Sequence, residues 1–306
     1  QNGSWQGVAM SSDGQKMVVG NYGGRLYLST NGGTSWSETQ PAGDTTQGWV
    51  AVSISDDGQK ILAASYQYRL YLSSNGGTSW TETQPAGNID YFWYTTAVSG
   101  DGQTLYAAGY DQRMYRSTNG GSSWSETQPA GNTTKPWRSI AISYNGQTAY
   151  AATDFGNVIY RTTNQGNSWD AVQPAGSTNM YLSSISMSSN TQTIFGTGAN
   201  GKMYLSTDAG STWAEESLTS SADYGWNTGV LSGDGIHLFA GEWTGRLYRG
   251  SIYTAGNSAT SSSSSSTAAP QTPTCTDAQP VGTVDLFQIN RSKATTQLFF
   301  TPISNI

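Results

Sequence analysis

The run Ser29-Thr30-Asn31-Gly32-Gly33-Thr34-Ser35-Trp36 decides how this chain reads, because it returns four more times in nearly the same form. The later copies are Ser73 to Trp80, Ser117 to Trp124, Thr162 to Trp169 and Ser206 to Trp213. Their Asn/Asp positions, Asn31, Asn75, Asn119, Asn164 and Asp208, lie 44, 44, 45 and 44 residues apart. A constant period in that range belongs to an array of one small unit, a propeller or a solenoid, rather than to a single irregular core.

Other positions keep the same beat. Asp13-Gly14, Asp57-Gly58, Asp101-Gly102, Asn145-Gly146 and Asp234-Gly235, with Asn190-Thr191 as a weak fifth copy in chain order, sit between apolar runs. Asp-Gly and Asn-Gly accept the positive φ of tight hairpin turns, so each unit opens with a hairpin. Within the second unit the runs 49–55, 60–65, 70–73 and 79–83 are rich in Val, Ile, Tyr, Trp and Ala and bounded by Gly, Asn, Ser and Pro, which predicts four short strands. Four-stranded units of this length are propeller blades. Opening aromatics at Trp5, Trp49, Tyr94, Trp137, Tyr181 and Trp226 count six of them. The expected fold is therefore all-β: a six-bladed β-propeller of four-stranded antiparallel blades over residues 1–256. Its sixth unit ends at Leu247-Tyr248-Arg249-Gly250 with neither the motif nor an obvious closing strand.

These five spaced copies resemble the Asp-box (BNR) repeat of sialidases, sortilin-like receptors, xyloglucanases and photosystem assembly factors, and the resemblance covers residues 5–250. It implies that the box is a folding device without chemistry of its own. The Asn/Asp side chain bonds its own turn, Gly supplies the permissive backbone, and Trp packs on the sheet. Six-bladed sialidases of this kind use an arginine triad, a Tyr/Glu nucleophile pair and an acidic general acid, with an early Phe/Tyr-Arg-Ile-Pro segment. No such segment occurs here, and Arg25, Arg69 and Arg113 are equivalent copies rather than singular residues. Glycoside hydrolysis needs two carboxylates about 5 to 10 Å apart. Glu38, Glu82 and Glu126 repeat beside the box Trp and read as surface. Asp44, Asp90, Asp111, Asp154, Asp223 and Glu242 are singular, but no spacing selects a pair. A non-enzyme is expected, with a polysaccharide-acting hydrolase as the alternative.

Composition narrows the classes further. With 35% hydrophobic residues, 11 Trp and 18 Tyr, the chain has material for a core despite only 11% charged residues. A net charge of −6 without a basic run argues against nucleic acid, and no stretch approaches the roughly 20 apolar residues of a membrane helix. A start at Gln1, without a leader-like segment, reads as a processed secreted chain, so an extracellular or cell-surface location is expected. The lone Cys275 excludes an internal disulfide framework and a multi-cysteine metal site. The lone His237 leaves no Ser/His/Asp or Cys/His arrangement, so neither cofactor nor metal is expected.

Residues 257–274 carry six consecutive serines, Ser261 to Ser266, then Pro270 and Pro273, a linker composition. Residues 275–306 hold two strand-like runs, 283–289 and 294–301, and faintly resemble the first hairpin of a fibronectin type III sandwich. Three readings stay open for this tail: the start of a sandwich domain, a hairpin docked on the propeller, or a strand given to another subunit, with self-association through residues 275–306.

Candidate binding residues come from three series on one face. These are the opening aromatics (Trp5, Trp49, Tyr94, Trp137, Tyr181, Trp226), the second-to-third turn (Tyr22, Tyr66, Tyr110, Phe155, Trp243), and the start of the third strand (Arg25, Arg69, Arg113, Lys202, Arg246), with Trp93 added from the loop 88–93 that varies on the same face. Aromatic planes beside fixed cations suit sugars or protein segments. Repeated aromatics and arginines equally serve stacking between blades. The expected role is non-catalytic adhesion or assembly at a cell surface, with a glycan or surface protein as partner. A purely structural filament subunit is a further alternative.

Overall fold

The computed structural model describes residues 3–254, 285–291 and 294–302, except Gln67, Asn157 and residues 175–179, 218–224 and 244–246. Cys275, the linker at 257–274 and Arg246 lie outside the described residues. The chain is all-β, with no helix among the described residues.

The first unit comprises β1 (Trp5–Met10), β2 (Met17–Gly24), β3 (Leu26–Ser29) and β4 (Ser37–Thr39), and the second β5 (Gln47–Ile54), β6 (Ile61–Ser65), β7 (Leu70–Ser73) and β8 (Thr81–Thr83). The third holds β9 (Trp93–Val98), β10 (Leu105–Gly109), β11 (Met114–Ser117) and β12 (Ser125–Thr127), and the fourth β13 (Trp137–Ile142), β14 (Ala149–Thr153), β15 (Ile159–Thr162) and β16 (Asp170–Val172). The fifth holds β17 (Leu182–Met187), β18 (Ile194–Gly198), β19 (Lys202–Ser206) and β20 (Ala214–Ser217). Then follow β21 (Trp226–Leu231), β22 (His237–Glu242), β23 (Leu247–Thr254), β24 (Asp285–Arg291) and β25 (Ala294–Pro302). Each four-stranded unit is an antiparallel meander in chain order, and the last sheet runs β21-β22-β23-β25-β24.

The second strand of a unit explains how the sheets stack. Ile61–Ser65, Leu105–Gly109, Ala149–Thr153 and Ile194–Gly198 are buried at every residue, because each lies mid-sheet with a sheet on either side. Small residues at their centres, such as Ala63-Ala64 and Ala107-Ala108, let neighbouring backbones approach. Register corrects two expected positions. Trp93 pairs with Gly109 as Trp49 pairs with Ser65, and Leu182 pairs with Gly198 likewise. The opening residues of the third and fifth units are thus Trp93 and Leu182, not Tyr94 and Tyr181.

Each junction is built from the same parts. Trp49 packs in one cluster with Val18 and Leu26 of the unit before it. Trp93 does so with Leu62 and Leu70, Trp137 with Tyr106 and Met114, Leu182 with Tyr150 and Ile159, and Trp226 with Phe195 and Met203. An edge-to-face tyrosine holds each tryptophan, as Tyr71 holds Trp49 at 5.5 Å and Tyr160 holds Trp137 at 5.5 Å.

The box closes the third strand onto the fourth. Ser73 Oγ accepts from the Gly77 N–H at 2.8 Å, and Asn75 Oδ1 accepts from the Ser79 N–H at 2.9 Å. Asn75 Nδ2 donates to Ser79 Oγ at 2.8 Å. In two copies the box Trp reaches the preceding unit: Trp80 Nε1 donates to Thr39 Oγ1 at 2.8 Å, and Trp169 Nε1 to Thr127 Oγ1 at 2.8 Å. Two consecutive left-handed residues make the turn, Gly76 (φ 65°) and Gly77 (φ 87°), but the first of these is Gln165 (φ 57°) and Ala209 (φ 52°) in the fourth and fifth copies.

Three stability changes follow for equilibrium denaturation. Trp49→Ala costs about 3–5 kcal/mol by emptying a junction. Asn75→Ala costs about 0.5–1.5 kcal/mol, since water replaces the acceptor of the exposed Ser79 N–H. Ala209→Gly stabilises by up to about 1 kcal/mol, since relief of the left-handed Cβ clash outweighs the added chain entropy.

Candidate functional site

A β-bulge recurs beside the junction residue. Pairing of the first two strands skips a residue between Trp49 and Ala51, between Trp5 and Gly7, between Trp137 and Ser139, between Leu182 and Ser184, and between Trp226 and Thr228, with the matching shift in the third unit. The skipped residues are Gln6, Val50, Tyr94, Arg138, Ser183 and Asn227. A bulge re-aims its extra side chain, and here four of these residues turn into one cavity. Gln6, Val50, Tyr94 and Arg138 line it together with Ser4, Tyr22, Tyr66 and Tyr110, around a volume of ≈ 560 Å³.

A hydrogen bond repeated in each unit places the second set of residues. The backbone N–H of Tyr22 donates to Ser4 O, Tyr66 to Gly48 O, Tyr110 to Phe92 O, Asp154 to Pro136 O, Ala199 to Tyr181 O and Trp243 to Gly225 O, at 2.7 to 3.0 Å. This ties the second-to-third turn to the strand that opens the unit. In the fourth unit the equivalent position belongs to Asp154, which corrects the expected Phe155. Phe155 is exposed and packs edge-on against Tyr181 at 5.4 Å.

Two polar pairs meet at the cavity. The Arg138 guanidinium lies 5.1 Å from the centre of the Tyr94 ring and donates to the Tyr94 hydroxyl. Its Nε is buried without a hydrogen-bond partner, and among the described residues no carboxylate stands within ion-pair distance of it. Tyr110 packs on Tyr94 at 5.4 Å and donates its hydroxyl to Asp154 Oδ2 at 2.9 Å. Burial first, then that bond and the Asp154 charge, push the Tyr110 phenol up to about 12.

Only part of the expected site assembles. Tyr22, Tyr66 and Tyr110 do converge, with Tyr22 and Tyr66 6.4 Å apart. Trp49, Trp93, Trp137 and Trp226 do not: each is 2% exposed or less, because the junction between sheets consumes its whole surface. Arg25, Arg69 and Arg113 are engaged within the protein. Arg25 pairs with Asp44 at 2.6 Å, Arg69 with Glu82 at 3.5 Å and Asp90 at 3.6 Å, and Arg113 with Glu126 at 3.5 Å. Arg69 also donates to Asn88 Oδ1 at 2.9 Å, which latches the connection to the next unit. Lys202 pairs with Glu215 in the same way. Trp243 is exposed but does not line the cavity.

Gln6, Val50 and Arg138 escaped the sequence reading. Their signal was present, since the residue after each opening position changes from unit to unit while the Trp beside it recurs. His237 is exposed, 4.0 Å from Asp234 and apart from the cavity. Among the described residues no cluster of His, Cys, Asp and Glu is arranged to hold a metal ion, and no helix is long and apolar enough to cross a membrane.

Comparison with known proteins agrees with this architecture. Residues 112–229 match the Sortilin-Vps10 family (Sortilin, neurotensin receptor 3). Among solved structures, the chain is similar to YCF48 from Cyanidioschyzon merolae, with TM-score 0.60 and 17% identity over 81% of this chain and 82% of that one. A structure of YCF48 bound to D1 peptide aligns with TM-score 0.62 and 13% identity over 81% and 77%. The Cps50 (Swd1) β-propeller domain of Myceliophteria thermophila aligns with TM-score 0.64 and 10% identity over 82% and 83%. No curated protein matches the sequence at a significant level. The chain is a β-propeller with repeats of the Asp-box type.

Asp154→Ala removes both the acceptor and the charge beside Tyr110. Ultraviolet difference titration should then show one phenol ionising closer to the ordinary value of 10.0. The sign for stability follows from the raised value. In the native protein the Tyr110 contribution is intact below pH 10 and is lost as pH rises towards 12, and the variant loses less over that window.

Proposed function

We propose that this protein is a non-catalytic binding and assembly propeller, its six repeats forming six blades, and that the cavity at Arg138 receives a protein segment carrying a carboxylate. One observation carries the reading: a half-buried arginine, held against Tyr94 and without a carboxylate partner among the described residues, in a cavity walled by three further tyrosines. A cation so placed is already partly desolvated and oriented, so an incoming carboxylate gains a charge-assisted bond without the cost of ordering the donor. Tyr22, Tyr66 and Tyr110 supply flat, rigid contact area with hydroxyl tips, which suits an extended peptide. The similarity to a YCF48 structure bound to D1 peptide supports a protein ligand over a small metabolite.

A glycan is the second reading, favoured by the same phenol faces, which cover the apolar side of a pyranose. The extracellular location belongs to the proposal as well, as does closure of the sixth blade by the tail. The pairing of β25 along β23, from Tyr248 opposite Pro302 to Thr254 opposite Thr296, supports that closure. Exchange of this strand between copies would be the route to self-association through the tail.

Calorimetric titration separates the readings. An acidic peptide with a free C-terminal carboxylate should bind, with affinity falling about tenfold in Arg138→Ala, roughly 1.4 kcal/mol, and less in Tyr66→Ala. The same peptide amidated and stripped of its acids should bind no better than to Arg138→Ala. Binding of acidic oligosaccharides with none of peptides would transfer the site to glycans, and turnover of a polysaccharide would replace the proposal with a hydrolase.

A further inference from the structure

The cavity at Arg138 has two chemically different ends, and the order of its residues in the chain shows which is which. Its bulged residues Val50, Tyr94 and Arg138 belong to the second, third and fourth units, which are neighbours through the Trp93 and Trp137 junctions. Tyr94 therefore stands between an aliphatic side chain on one side and a cation on the other. The turn residues sharpen the contrast. They are Tyr22, Tyr66 and Tyr110 in the first three units but Asp154 and Ala199 in the next two, so the aromatic wall lies on the Val50 side and ends at Tyr110.

The wall beside Val50 is fixed in place by the backbone. Tyr22 pairs with Gly48 and Gly24 with Gln47, which joins the first two units into one eight-stranded sheet. This pairing lays the Tyr22 ring over the strand that bears Val50. A Cβ on Gly48 would stand 3.2 Å from Tyr22 Cε2 and 3.4 Å from Tyr66 Cβ, so a larger residue there would displace the ring. Tyr66 lies 6.4 Å from Tyr22 and meets Phe92 edge-on at 5.6 Å. The Tyr94 and Tyr110 hydroxyls are engaged by Arg138 and Asp154, whereas those of Tyr22 and Tyr66 form no hydrogen bond among the described residues.

We infer that Val50, Tyr22 and Tyr66 form a specificity pocket for an apolar side chain that precedes the carboxylate in the same bound segment. The inference rests on the function proposed above and adds a second requirement to it. A segment that runs from Arg138 past Tyr94 arrives over Val50, where no charged residue lines the cavity. A leucine-sized side chain there leaves water for two ring faces and a valine, and the two unengaged hydroxyls can bond the segment's backbone. A cation at one end and an uncharged clamp at the other also set the direction of the segment, since only its C-terminal end carries the terminal carboxylate.

The test is calorimetric titration of the full chain with short Ser/Glu peptides ending in a free carboxylate, each member of the series carrying one leucine at a different position before the terminus. One leucine position should raise affinity at least about tenfold over the leucine-free peptide. Val50→Ser should remove that gain, and Val50→Phe should shift the preference at that position from leucine to alanine. Arg138→Ala should weaken binding across the series while the preferred position stays the same. Val50 is only half-buried, and circular dichroism checks that both of its variants keep the native fold. Equal affinity at every leucine position, or a preference that survives both Val50 variants, would overturn the pocket while leaving the carboxylate site standing. Affinities that do not respond to Arg138→Ala would instead overturn the carboxylate reading, and no binding by any peptide would overturn both.

Discussion

Insertion of an aromatic or leucine side chain at the start of one sheet into the apolar face of the sheet before it is the contact on which this molecule depends. A single four-stranded meander cannot bury both of its faces, so no unit is stable alone. Trp49 against Val18 and Leu26 solves this for one pair of units, and the solution repeats along the chain. Central strands then tolerate only small or apolar residues, since both of their faces are covered.

The same contact explains where a binding cavity can arise. The residue after the junction position is the bulged one, freed from pairing, and in the first four units it turns into the cavity. Its neighbour is locked, so the backbone there is fixed whatever the bulged side chain is. Gln6, Val50, Tyr94 and Arg138 are chemically unlike, whereas Trp5, Trp49, Trp93 and Trp137 are identical. Repetition holds the scaffold and variation beside it supplies the chemistry. The arginines at the third strand show the converse. Being repeated, they take repeated carboxylate partners and act as latches rather than as ligands for something outside.

Much of the fold was legible from periodicity. The 44-residue beat, the Asp-Gly turns and the box placed the strands of the second unit within two residues of their observed starts. The site was legible only in part. Tyr22, Tyr66 and Tyr110 were found because a turn position can be counted from a motif. Trp49 and Trp137 were misplaced because an aromatic reads the same on a surface as in a junction, and only the neighbouring sheet decides. Asp154 was missed in favour of Phe155 because the local spacing slips by one residue there, and a slip of one moves every side chain to the other face.

The sequence by itself determined the architecture: an array of β-units, their length, their turns and the self-bonded box. These depend on local backbone chemistry and on a period that survives in one dimension. Only the tertiary structure decided which aromatics are core, and that the arginine in the cavity, Arg138, lacks a carboxylate partner among the described residues. Those properties belong to pairs of residues about 44 positions or more apart, and to a one-residue bulge that carries no residue type of its own. Exposure and partnership are settled by what lies across a sheet junction, and that neighbour is invisible to any local reading of the chain.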